Sequence, residues 1–140
     1  MLWKEIITPY LKNKMKQSIL ISLVWLFAFL RQPIQATETI KVACVGNSIT
    51  YGTGITNRDA DSYPAQLQKL LGKKYSVGNF GKPGATLLAH GHRPYMQQEE
   101  YQKALDFSGD IVVIHLGIND TDPRNWPNYR DEFVHDYLKL

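Results

Sequence analysis

Three short apolar runs, each followed by a turn-rich polar stretch and then a helical pattern, constrain this chain more than any other feature. Ile40 to Val45 (IKVACV) is β-branched and ends at Gly46, Tyr75 to Val77 leads into the turn-rich Gly78 to Gly84, and Ile111 to Leu116 (IVVIHL) is apolar almost throughout. A strand apolar at successive positions is buried on both faces, as parallel-sheet strands are. Between them lie helical signals. Ser62 stands as an N-cap before Tyr63-Pro64, with Leu67, Leu70 and Leu71 on one face and Gly72 closing the end. Tyr95 to Phe107 turns Met96, Tyr101, Ala104 and Leu105 inward, and Tyr129 to Leu140 carries Phe133, Tyr137 and Leu138 at helical spacing. Three βα units in succession predict an α/β fold, a three-layer sandwich around a parallel sheet with right-handed crossovers. Sheets of this type usually have about five or six strands, and the last helix still needs a partner for its apolar face. The expectation is therefore that the C-terminal part of the domain is missing.

Residues 1–36 differ in kind from the rest. Ser18 to Leu30 (SILISLVWLFAFL) runs 13 residues without a charge, preceded by Lys12, Lys14 and Lys16 and followed by Pro33 and Ile34-Gln35-Ala36. This is the layout of a secretory signal peptide, because a spanning helix needs about 20 apolar residues. An uncleaved anchor is the alternative, since Ile34 is a mediocre residue at the cleavage motif. Met15-Lys16 is a more ordinary start than Met1, so residues 1–14 read as an over-extended start. The mature protein is expected to comprise residues 37–140, secreted or periplasmic and without a stable membrane span.

Charge follows the same division. The net +3 of the 140 residues resolves into +4 for residues 1–36 and −1 for the remainder. A near-neutral body without a Lys/Arg stripe lacks the electrostatic footprint of a nucleic-acid binder. The one cysteine, Cys44, lies inside the first apolar run and has no internal partner, so it is expected to pack in the core.

Open parallel sheets bind ligands beyond the carboxyl ends of their strands. The residues there are Gly46-Asn47-Ser48-Ile49-Thr50, then Asn79-Phe80-Gly81-Lys82-Pro83-Gly84-Ala85-Thr86, then Gly117-Ile118-Asn119-Asp120. Ser48, on a tight turn, can present a hydroxyl and its own N–H; Gly84 offers a backbone N–H, and Asn119 a side-chain amide. Ester cleavage needs a nucleophile and donors fixed around the developing oxyanion. In order and spacing the three blocks resemble the first three signature blocks of the SGNH hydrolases, the GDSL esterase superfamily. The resemblance implies that Ser48 is the nucleophile, with Gly84 and Asn119 completing the oxyanion hole, and that no cofactor or metal takes part.

Two departures from the family pattern stand out. Asn47 occupies the place of the usual acid in the first block, a tolerated change because that position does not supply the nucleophile. The family's Asp-x-x-His segment has no counterpart: Asp131 to His135 has one residue too many, His115 lies within a strand and is expected to pack there or make a structural hydrogen bond, and His90 and His92 sit in a loop. The base is accordingly expected beyond Leu140, leaving this product with little turnover.

Other constellations point nowhere sharper. His90-Gly91-His92 lacks a third ligand, Glu99-Glu100 reads as a solvated face, Gly52-Thr53-Gly54 has Asn57 where a dinucleotide loop needs glycine, and Gly81-Lys82-Pro83 lacks the P-loop Ser/Thr. The stretches Gly91 to Met96 and Asp120 to Trp126 are similar to those of bacterial sialate O-acetylesterases within the superfamily. An acetylated carbohydrate, sialic acid by preference, is the substrate this implies. Trp126 could stack on a sugar and Arg93 or Arg124 could pair with its carboxylate; equally, Trp126 packs the loop and the arginines are surface charges. A lipolytic esterase or thioesterase of the same superfamily and a carbohydrate-binding pseudoenzyme are the alternatives.

Overall fold

The structure, a computed structural model, describes residues 38–140 and, upstream of them, Lys12 alone. Apart from Lys12, the leader assigned to residues 1–36 lies outside the described residues.

Three parallel strands form one sheet in the order β2-β1-β3. β1 (Ile40–Gly46) is central, with β2 (Tyr75–Gly81) on one side and β3 (Ile111–His115) on the other. Five successive residues of β1, Val42 to Gly46, are buried. Alternate side chains of a strand point to opposite faces, so both faces of β1 are covered. Ala43 and Val45 look toward α4 (Glu99–Phe107), where Tyr101 and Ala104 meet them. Cys44 points the other way and lies beside Tyr63, the first residue of α3 (Tyr63–Leu71). Helix, sheet and helix are the three layers expected. Burial pushes the Cys44 thiol up, with Tyr63 pulling weakly the other way, which suits an inert packing residue.

The short helices α1 (Ser48–Tyr51) and α2 (Arg58–Asp61) connect β1 to α3, and α5 (Trp126–Tyr129) and α6 (Phe133–Lys139) follow β3. Among the described residues no helix is long and apolar enough to cross a membrane.

Several local expectations are corrected. β2 runs to Gly81 rather than stopping at Val77, because in-register pairing with β1 over Tyr75 to Gly81 carries the glycines along. β3 is not buried on both faces: Ile111, Val112 and Val113 are exposed, since among the described residues this strand has a neighbour on one side only. The expected helix from Tyr95 is a 3-10 turn, Tyr95–Gln97, separated from α4 by the extended backbone of Gln98. Ser62 takes the N-cap position of α3 without a side-chain bond.

Leu70, expected on an inward face, is 84% exposed, and Leu138, on the helix face read as still needing a partner, is 81% exposed. The reason is the same twice. At about 100° per residue, positions two apart lie on opposite sides of a helix, and a polar residue two positions earlier takes the inward place. Gln68 accepts from the Val77 N–H at 2.8 Å and donates to the Tyr75 carbonyl at 3.0 Å, closing the open flank of β2. Asp136, 3% exposed, accepts from the Ala89 N–H at 2.7 Å.

Candidate active site

The carboxyl ends of the three strands are level. Gly46 pairs with Gly81 on one side and His115 on the other. The ladders continue one step further, with the Lys82 N–H on the Gly46 carbonyl at 2.8 Å and the Asn47 N–H on the His115 carbonyl at 3.3 Å. The three polar blocks therefore leave the sheet along one edge. Close approach explains Gly46: a Cβ there would meet the Thr50 side chain and lie 2.7 Å from the His115 carbonyl oxygen.

Ser48 opens α1 and is half-buried. Its carbonyl accepts from Gly52 and Thr53 at 3.0 and 2.9 Å, which closes the helix after a single turn. Asn47 is the N-cap, fully buried, with Oδ1 accepting from the Ile49 N–H at 3.0 Å. Its Nδ2 has no partner among the described residues.

Gly84 has φ +78°, a left-handed conformation that side chains disfavour. Arg93 lies against it: a Cβ on Gly84 would be 3.4 Å from Arg93 Nη1, which itself donates to the Pro83 carbonyl at 2.9 Å. Asn119 reaches the same loop, its Nδ2 donating to the Ala85 carbonyl at 2.8 Å. One amide proton is thus committed and the second has no partner among the described residues. The second and third blocks are brought together in this way, and Ser48 stands on the neighbouring loop at the same strand ends.

Three polar residues that carried no role in the sequence bind these loops together. Asp120 is fully buried, its two oxygens accepting from the Leu87 N–H at 2.9 Å and the Leu88 N–H at 2.7 Å. Asn125, 1% exposed, accepts from the His92 N–H at 2.9 Å and donates to the Asn119 carbonyl and to His92 Nδ1, both at 2.9 Å. Since both amide protons are used, His92 Nδ1 is the acceptor and the ring carries its proton on Nε2. Glu100 is not on a solvated face: it is half-buried and pairs with Lys82 of the second block at 3.1 Å. Asp120 was visible inside the third block, but nothing local to Glu100 or Asn125 marks a partner 18 or 33 residues away.

Three of the four histidines are committed elsewhere. His90 Nδ1 lies 2.7 Å from Glu132, His92 is held by Asn125, and His135 lies 3.2 Å from Asp136. His115 neither packs nor anchors through its ring, which is exposed; it contributes its backbone carbonyl. Among the described residues no three His, Cys, Asp or Glu side chains cluster as a metal would require.

The residues considered for a sugar divide. Arg124 is closed by Asp122, with Nε on Oδ1 at 2.9 Å and Nη2 on Oδ2 at 2.8 Å. That fork holds the Asp122 carboxyl well below the usual carboxylate range. Trp126 packs edge-on against Phe133 at 5.8 Å between ring centres and remains 39% exposed.

Residues 44–139 match the model of the GDSL-like Lipase/Acylhydrolase family. An acetylxylan esterase from Xylanibacter ruminicola is 49% identical over 108 residues, covering 77% of this chain and 22% of that protein. The solved structure of AlinE4, an SGNH-hydrolase family esterase, aligns with TM-score 0.54 at 25% identity over 73% of this chain and 52% of its own, and a point variant of AlinE4 gives the same figures. The chain thus spans less than a quarter of the length of its curated relative and about half that of the solved esterase.

Proposed function

Since the chain belongs to the GDSL-like lipase/acylhydrolase family, we propose that it forms the nucleophile and oxyanion half of a serine esterase that removes O-acetyl groups from carbohydrate. Ser48 attacks the ester carbonyl; the Ser48 and Gly84 N–H groups and the free amide proton of Asn119 receive the oxyanion. The observation that carries this reading is the bond from Asn119 to Ala85, which ties the side-chain donor to the residue beside Gly84. The resemblance to an acetylxylan esterase favours acetyl over longer acyl groups and carbohydrate over lipid. The leader of residues 1–36 directs the protein outside the cytoplasm.

A serine without an imidazole partner is a weak nucleophile, and the four histidines of this chain are not hydrogen-bonded to Ser48. The 140 residues alone are accordingly slow. The protein-dependent hydrolysis of 4-nitrophenyl acetate, above the rate of imidazole alone, should rise with added imidazole and disappear in Ser48→Ala. Imidazole-dependent turnover that survives Ser48→Ala would discard the nucleophile and favour the carbohydrate-binding pseudoenzyme.

For sialic acid in particular, Arg93 is the residue left to meet a carboxylate, because Arg124 is already engaged. Arg93→Gln should weaken the KM for O-acetylated sialic acid and leave acetylated xylo-oligosaccharide unaffected. Equal effects on both would remove the sialate preference.

A further inference from the structure

The loop that follows Gly84 is fixed from outside itself. Its backbone N–H groups at Leu87, Leu88 and Ala89 point in succession at carboxylates: the first two at Asp120, at 2.9 and 2.7 Å, and the third at Asp136, at 2.7 Å. Asp120 is next to Asn119 in sequence, so one short segment both contributes the amide donor and holds the loop that carries Gly84. From the other side, Asn125 grips the Asn119 carbonyl and clamps the His92 backbone and ring. The residue after that ring is Arg93, whose carbonyl accepts from the Thr86 N–H at 2.8 Å, two residues past Gly84. Asp120 and Asn125 are therefore attached at both ends to the two donors of the proposed oxyanion hole, whereas Asp136 is attached only to the far end of the loop.

We propose that Asp120 and Asn125 are positioning residues that set the separation between the Gly84 N–H and the Asn119 amide, a role that rests on the esterase reading of the site. Both are buried and neither touches the substrate. Their effect runs through geometry, since a displacement of about 1 Å at a reacting centre can cost on the order of 100-fold in rate.

The test compares Asp120→Asn, Asn125→Asp and Asp136→Asn in the full 140-residue protein. The first two keep shape but turn one contact of the clamp from attraction to repulsion. Hydrolysis of 4-nitrophenyl acetate in the presence of imidazole should lose about 100-fold in kcat in Asp120→Asn and Asn125→Asp, with KM unchanged. Asp136→Asn should lower the melting temperature with kcat retained. In amide NMR spectra the first two variants should shift the Gly84 N–H and the Asn119 side-chain signals. Equal kcat losses in all three variants, or wild-type kcat in the first two, would overturn the proposal. If Ser48→Ala shows that the hydrolysis is not enzymatic, the esterase reading fails instead; the positioning role then falls with unmoved Gly84 and Asn119 signals in Asp120→Asn and stands with shifted ones.

Discussion

The side-chain amide of Asn119 donates to the backbone carbonyl of Ala85 over 2.8 Å, joining positions 34 residues apart. A planar amide with one proton tied in this way cannot swing, so its second proton points in a fixed direction. Fixed donors are what oxyanion stabilisation requires, because a dipole already oriented needs no reorganisation when charge develops. Asn119→Ala should lower kcat on acetyl esters by about 100- to 1,000-fold with KM nearly constant. Steady-state kinetics check this, and a loss confined to KM would contradict a donor acting in the transition state.

Gly84→Ala tests the backbone at the same place. The residue holds φ +78° and has Arg93 3.4 Å from where a Cβ would stand. Forcing an L side chain into the left-handed region costs about 1–2 kcal/mol. Urea denaturation should show a destabilisation of that order.

Gly46→Ala should be worse. The added Cβ would lie 2.7 Å from the His115 backbone oxygen and against Thr50, and the oxygen belongs to a paired strand that cannot give way. Overpacking of this kind costs about 3 kcal/mol. Little folded protein is expected at 37 °C, measured by circular dichroism, whereas a normal melt would show that β3 can shift.

The exposed pair His90 and Glu132 should titrate visibly. The hydrogen bond to Glu132, and then its charge, hold the His90 imidazole above its ordinary value. A folded pKa raised in this way contributes stability that is full below the unfolded value of about 6.5 and is lost as pH rises through the folded value. NMR titration of the His90 ring should give a midpoint above 6.5 in the wild type and a return toward it in Glu132→Gln. Identical midpoints would break the assignment of this pair.

Asp136 works in the opposite direction. Burial pushes its carboxyl up, but the Ala89 N–H and the His135 ring together outweigh burial and leave it below the ordinary aspartate value. The stability it contributes is present above about pH 3.9 and is lost as pH falls through the depressed folded value. Thermal melts of the wild type should lose this part of their stability below pH 4, and Asp136→Asn should flatten that part of the profile.

The strands and the blocks at their ends were legible because each is written in adjacent residues. Ile40 to Val45 lies within β1, β3 covers Ile111 to His115 of the run read to Leu116, and Ser48, Gly84 and Asn119 lie just past the ends of β1, β2 and β3 in turn. The inward faces of the helices were less legible. Apolar spacing put Leu70 inside and gave no inward role to Asp136, yet Gln68 and Asp136 hold the inward places because backbone groups of β2 and of the loop at Ala89 require polar partners. Periodicity counts apolar residues and is blind to a donor waiting on another element.

Local periodicity and turn chemistry were enough to establish a parallel α/β sheet and to line up three polar blocks along one edge of it, since both depend on residues within a few positions of one another. The grip of Asp120 on Leu87 and Leu88, of Asn125 on His92, and of Glu100 on Lys82 came only with the folded chain. Those bonds join residues 18 to 33 positions apart. They exist because the register of three strands carries distant loops to a common level, where a buried carboxylate or amide must find its partner or stay unpaired.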